Sequence, residues 1–156
     1  MMKTWKQSMR DGLLPGNLAG LLSTAVLLLR GRSEIGKPLA PLNAPSHWVW
    51  GDRALRQDGR SLRYTALGLL IHQASALMWG VLYERFVARP RPTATLALRD
   101  AAVATAAAAT VDFVLTPKRF TPGFERRLSK PSLVLVYAGF AIGVALGSQW
   151  VRRRNA

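Results

Sequence analysis

The chain of 156 residues contains no cysteine. Disulfides, thiolate nucleophiles and thiolate metal sites are therefore excluded. Histidine occurs twice, as His47 and His72. Neither has a second histidine one helical turn away, so no metal site is expected, and no haem or other cofactor. Acidic residues are few, 8 Asp and Glu against 22 Lys and Arg, giving a net charge of +14. No phosphate-cradling glycine loop, nucleophile motif or paired-carboxylate pattern is present. These absences favour a non-enzymatic role over a membrane-embedded enzyme.

The apolar residues fall into four blocks separated by basic segments. A nucleic-acid partner wants one contiguous basic face. Here the positive charge is spread over every inter-block segment, so the expected partners are anionic lipid headgroups at both surfaces, and no nucleic acid. The blocks predict an all-α fold, a single membrane domain (1–156) of four transmembrane helices over about 12–29, 64–83, 94–115 and 133–151. Asp11 is placed to cap the first span, and Pro15 to sit in its first turn. A leader peptide with positive residues before an apolar block reads similarly, but Arg30-Gly31-Arg32 follows without a small-residue cleavage pattern, so the block is read as retained. The third block, rich in Ala and Thr, is the least apolar and suits packing among other helices.

In the first loop Asn43 and Pro45 predict a short amphipathic helix over about 44–57, with Trp48 and Arg residues in the headgroup region. Asn43, His47, Trp48 and Asp52 form a candidate interfacial motif there. In the third loop, TPKRF is followed directly by TPGFE, and each Thr-Pro pair predicts a short helical turn. Glycines recur at one-turn spacing as Gly12, Gly16 and Gly20, and again as Gly139, Gly143 and Gly147. With Gly68 and Gly80 in the second span, they predict close helix–helix packing of the glycine-zipper kind, within the chain, with a second copy, or with a membrane-protein partner.

Four spans place both termini on one side. That side carries 10 Lys and Arg, the other 12. The charge bias is too small to orient the protein, and the basic segments at both ends favour cytoplasmic termini.

The second span, YTALGLLIHQASALMWGVLY, holds His72 and Gln73 near its middle, where polar side chains are costly unless they face protein or water. His72 lies roughly 12 Å from the end shared with the first and third loops, and Asp112 about 6 Å, at 1.5 Å rise per residue. A His72–Asp112 interaction is feasible at those depths, with Thr116, Lys118 and Arg119 as other partners for Asp112. His72, Asp112 and Gln73 are thus the candidate intramembrane polar site, either fixing helix register or serving a proton- or cation-coupled transporter. Glu84 is expected to be an ordinary boundary charge.

The segments PLNAPSHWVWGD, IHQASALMWGVLYE and VDFVLTPKRFTPGFE resemble those of a family of small four-span bacterial inner-membrane proteins with no established activity. The resemblance runs from Pro41 to about Ser148 and rests on Asn43, His47, Trp48, Gly51, Asp52, His72, Glu84, Asp112, Pro117, Pro122 and Glu125. It implies location and fold but no reaction. The leading expectation is a polytopic membrane protein that packs, interacts or engages lipid.

Overall fold

The computed structural model describes residues 3–154 and contains no strand among them. Four long helices carry the fold: α1 (Trp5–Ile35), α2 (Leu62–Phe86), α3 (Ala94–Thr110) and α4 (Lys130–Arg154). Of these, α1, α2 and α4 are long and apolar enough to cross a membrane. Thr93 caps α3 by accepting from the Leu96 N–H, and a five-residue π turn, Val111–Leu115, extends it. A matching π turn, Leu62–Ala66, opens α2 at the same end of the bundle.

The first helix begins earlier than its apolar block. Thr4 is the N-cap, and Gln7 completes a capping box, so Lys6 and Arg10 lie inside the helix. Asp11 is therefore not a cap. It is buried and paired with Lys3 at 2.8 Å and Arg10 at 2.9 Å. Nor does Pro15 stand in the first turn. It lies mid-helix, fully buried, where its missing N–H leaves the Asp11 carbonyl without its usual donor. Gly36 ends α1 in a left-handed conformation, φ 68°, and the Lys37 N–H closes the turn on the Gly31 carbonyl.

Helix α1 runs through the middle of the bundle with α2 along one side and α4 along the other. Helix α3 packs on α4 and scarcely touches α2. The glycines explain the α1 seams. A Cβ on Gly80 would lie 2.5 Å from the Gly12 carbonyl oxygen and 2.7 Å from Gly16 Cα, so α1 and α2 meet backbone to backbone. On the other flank a Cβ on Gly143 would lie 2.5 Å from Ala19 Cα, and one on Gly147 would lie 2.5 Å from Pro15 Cα. Gly139 has more room, with its nearest neighbour a Val26 side-chain carbon at 3.0 Å, while Gly20 faces Gln73 and Gly68 faces the Leu42 carbonyl of the first loop. The small stripes thus make contacts within one chain, where close approach maximises dispersion contact.

The interior is correspondingly small and polar. Ala19, Ala76, Ala101, Ala108 and Ala145 are buried with Ser8, Ser23, Ser132, Ser148 and Thr105, whereas Leu21, Leu29, Leu70, Val103, Val134 and Leu146 point outward. At one end the first and third loops fold over the bundle as a cap. In place of a continuous helix over 44–57, the first loop is a string of short helical turns, Ala40–Asn43, Ala44–Ser46, His47–Trp50 and Gly51–Arg56. The break falls at Gly51, whose φ of +63° a continuing helix does not allow. In the third loop the Thr-Pro tandem gives the expected turns, Lys118–Phe120 and Phe124–Arg126. The loops are stitched together by Trp48 Nε1 donating to the Thr121 carbonyl at 2.8 Å and by Arg119 donating to the His47 carbonyl at 2.8 Å.

Candidate functional site

Because α3 leans on α4 and away from α2, a cavity of about 200 Å³ opens between α2, α3 and α4 beneath the loop cap. Its lining includes both His72 and Asp112, so the two sequence candidates share one space. They do not bond to each other.

His72 Nε2 lies 2.9 Å from the Ser23 hydroxyl on α1. With that hydroxyl donating to the Ala19 carbonyl at 2.7 Å, and the Gly20 carbonyl also beside the ring, the ring proton is assigned to Nε2. Nδ1 is left with a free lone pair on a cavity-lining ring and no partner among the described residues. The ring also packs edge-on against Phe124, centroids 6.3 Å apart.

Asp112 sits in the π turn at the end of α3, a distortion common at functional positions. Its Oδ2 accepts a hydrogen bond from the Tyr137 hydroxyl on α4 at 2.5 Å, and Oδ1 has no partner among the described residues. Thr116, Lys118 and Arg119 do not pair with it. The charged neighbour that it feels is another carboxylate, Glu125. Glu125 accepts from the Thr121 hydroxyl at 2.6 Å through Oε1, while its buried Oε2 is unpartnered among the described residues.

No family model, curated protein or solved structure matches the chain. The site must therefore be read from its own geometry.

Gln73 belongs elsewhere. It donates to Asn17 at 2.9 Å across the α1–α2 seam and does not line the cavity. The candidate interfacial motif also divides. Asn43 is fully buried and acts as a clamp rather than a cap, donating to the Gln57 and Gly59 carbonyls at 3.0 and 2.9 Å and accepting from the Thr65 hydroxyl at 2.7 Å. It thereby fastens the first loop to the start of α2. His47 is enclosed by the cap rather than lying at a surface; its Nδ1–H donates to the Ala44 carbonyl at 2.9 Å and Nε2 has no partner among the described residues. Trp48 lines the cavity roof. Asp52 is exposed and faces Arg126 at 3.4 Å.

Glu84 departs most from expectation. Its carboxylate is fully enclosed at the far end of the bundle and receives Lys3, both terminal nitrogens of Arg152 at 3.2 and 2.7 Å, and the Ser148 hydroxyl at 3.0 Å. It ties the start of α1 and the end of α4 to the end of α2.

The hydrogen-bonding partners of His72 and Asp112 that sequence reading missed are Ser23 and Tyr137. Tyr137 is the one phenol in the block 133–151. A buried phenol in an apolar run needs an acceptor, so that signal was present. Ser23 gave none, because a serine inside a helix commonly satisfies itself on the preceding turn.

Proposed function

We propose that this chain is a four-span protein of the bacterial inner membrane, with α3 as the fourth span and both termini cytoplasmic, and that it acts without catalysis as a binding protein for an amphipathic, lipid-like molecule. The observation that carries this reading is the cavity between α2 and α3. It lies where the bundle fails to close, its walls are mainly apolar, and it offers a few separate hydrogen-bonding points, which is the usual make-up of a small-molecule site. A ligand with an apolar chain could enter sideways from the bilayer without crossing water.

The membrane location draws support from the outward faces. Large apolar side chains point outward on every long helix, including Leu98, Val103, Val114 and Leu115 on α3 and its π turn, over a core of alanine, glycine and serine. The first loop fits the headgroup region, since the Arg63 guanidinium stacks 4.0 Å from the centre of the Trp50 ring. Arginines at both ends of the bundle suit anionic lipid phosphates. The resemblance of the loop and span motifs to four-span inner-membrane proteins agrees with this placement.

The test is native mass spectrometry of the protein extracted in mild detergent, with the extract compared before and after delipidation. A non-covalent adduct is expected on the unaltered chain and should be lost in Ala108→Phe, which fills the cavity from α3. An adduct-free protein that also takes up no apolar ligand would refute the reading. A proton- or cation-coupled transporter is the second reading, favoured by the presence of His72 and Asp112 on one cavity. It requires a pH-dependent flux in proteoliposomes that His72→Phe abolishes.

A further inference from the structure

The cavity's lining is unusual in composition for this chain. None of the 22 Lys and Arg residues contributes to it, although the protein carries a net charge of +14. The one ionisable acid in the lining is Asp112. Six of the 13 aromatic residues are there: Trp48, Trp79, Phe120, Phe124, Tyr137 and Phe140. They are ordered against one another, with Trp48 and Phe120 edge-to-face at 6.0 Å and Phe124 and Tyr137 tilted at 6.5 Å.

Among the described residues three lining groups keep a free donor, the Ser75 and Thr116 hydroxyls and the Trp79 indole N–H, and two lining atoms are free as acceptors only. These two acceptors are Asp112 Oδ1 and the His72 Nδ1 lone pair. Tyr137 already spends its proton on Asp112, and His72 spends its own on Ser23. An anionic ligand, such as a carboxylate or phosphate ester, would find the three free donors but would lie beside the carboxylates of Asp112 and Glu125 with no lining cation to balance it. A ligand carrying N–H donors and a positive charge would meet both free acceptors and no opposing cation. Its charge would face the carboxylate, its donors would reach Oδ1 and Nδ1, and its body would lie against aromatic faces, which attract cations.

Resting on the binding function proposed above, the geometry points to an organic ammonium with an apolar or aromatic body as the ligand class. The amine end takes the Asp112–Tyr137 side of the cavity under the cap, and the apolar body extends toward the opening between α2 and α3. The arginines at both bundle ends lie outside the cavity and do not oppose it.

The experiment uses the full-length protein in a neutral detergent at pH 7 and three probes of matched shape: 4-phenylbutylamine, 4-phenylbutanol and 5-phenylpentanoate. Binding is followed by tryptophan fluorescence and by calorimetry. The amine should bind about 10- to 100-fold more tightly than the alcohol, the range that a charged hydrogen bond supplies, and the carboxylate should bind weakest. Asp112→Asn should erase the preference for amine while leaving alcohol binding within about threefold. The ranking on the unaltered protein does not depend on whether that variant folds. Equal binding of amine and alcohol, or tighter binding of the carboxylate, would overturn the ammonium class while leaving the cavity as a binding site. Failure of all three probes to bind would overturn both this inference and the binding function.

Discussion

Replacing Glu84 by alanine removes the acceptor on which three helices converge. The carboxylate is fully enclosed, and its cationic partners are themselves largely covered, Arg152 at 13% and Lys3 at 26% side-chain exposure. The loss is not total, because Lys3 keeps Asp11 at 2.8 Å and Arg152 keeps the Arg89 carbonyl at 2.9 Å. What remains is a buried guanidinium without its counter-charge and a serine hydroxyl without its acceptor. Breaking a buried pair from one side costs about 3–5 kcal/mol, and the retained contacts place Glu84→Ala toward the lower end. At roughly 2–4 °C per kcal/mol for a chain of this size, the midpoint of thermal unfolding should fall by roughly 6–12 °C. The assay is thermal unfolding in nonionic detergent, read by tryptophan fluorescence. Glu84→Gln, which keeps the shape and one acceptor, should fall between. The paired change Glu84→Met with Arg152→Met removes both charges and should recover much of the loss, since the penalty lies in the imbalance. An unchanged midpoint in Glu84→Ala, or a paired variant less stable than the single one, would refute the reasoning.

Two further predictions concern the loop cap. Asn43→Ala strands two backbone carbonyls and the Thr65 hydroxyl, at a cost of about 1–3 kcal/mol, and should speed limited proteolysis between residues 52 and 63; Asn43→Asp lacks the two donors and should not rescue it. Asp58 is held below the ordinary carboxylate range by its hydrogen bond to Lys37, followed by that to Arg127, which join the first loop to the third. The unfolded chain takes up this proton at higher pH than the folded one. The stabilisation is therefore fully present above the ordinary carboxylate value near 4 and is lost as pH falls through the lower folded value. Protease sensitivity of the first loop should be flat from pH 7 to 5 and rise below about 4. In Asp58→Asn the Lys37 and Arg127 links should already be weakened at pH 7, with little further change on acidification; an acid response as large as that of the unaltered chain would exclude this group as the cause.

Much of the framework could be read from local sequence, because it depends on local chemistry. The two Thr-Pro turns and the long apolar runs each act through neighbours within a few residues. The glycine spacing likewise marked faces that can approach closely. Helix α1 starts before its apolar block because the capping box of Thr4 and Gln7 sets its first turn among charged residues, where hydropathy carries no signal. The amphipathic helix over 44–57 failed for a similarly local reason, the positive φ at Gly51.

Depth and partner are different kinds of information. Rise per residue placed His72 and Asp112 near one level, and they do line one cavity. The same arithmetic could not supply Ser23 or Tyr137 as their bonding partners, nor put Gln73 on another seam. Those facts depend on which helix stands beside which, and on the rotation of each. The sequence by itself determined where the helices run and which faces could approach closely. Only the tertiary structure decided that α1 takes α2 and α4 on its two small-residue flanks, leaving α3 on α4 and a gap beside α2. The physical reason is that helix formation is set by short-range backbone bonds, whereas the neighbours of a polar side chain are set by contacts between segments far apart in the chain.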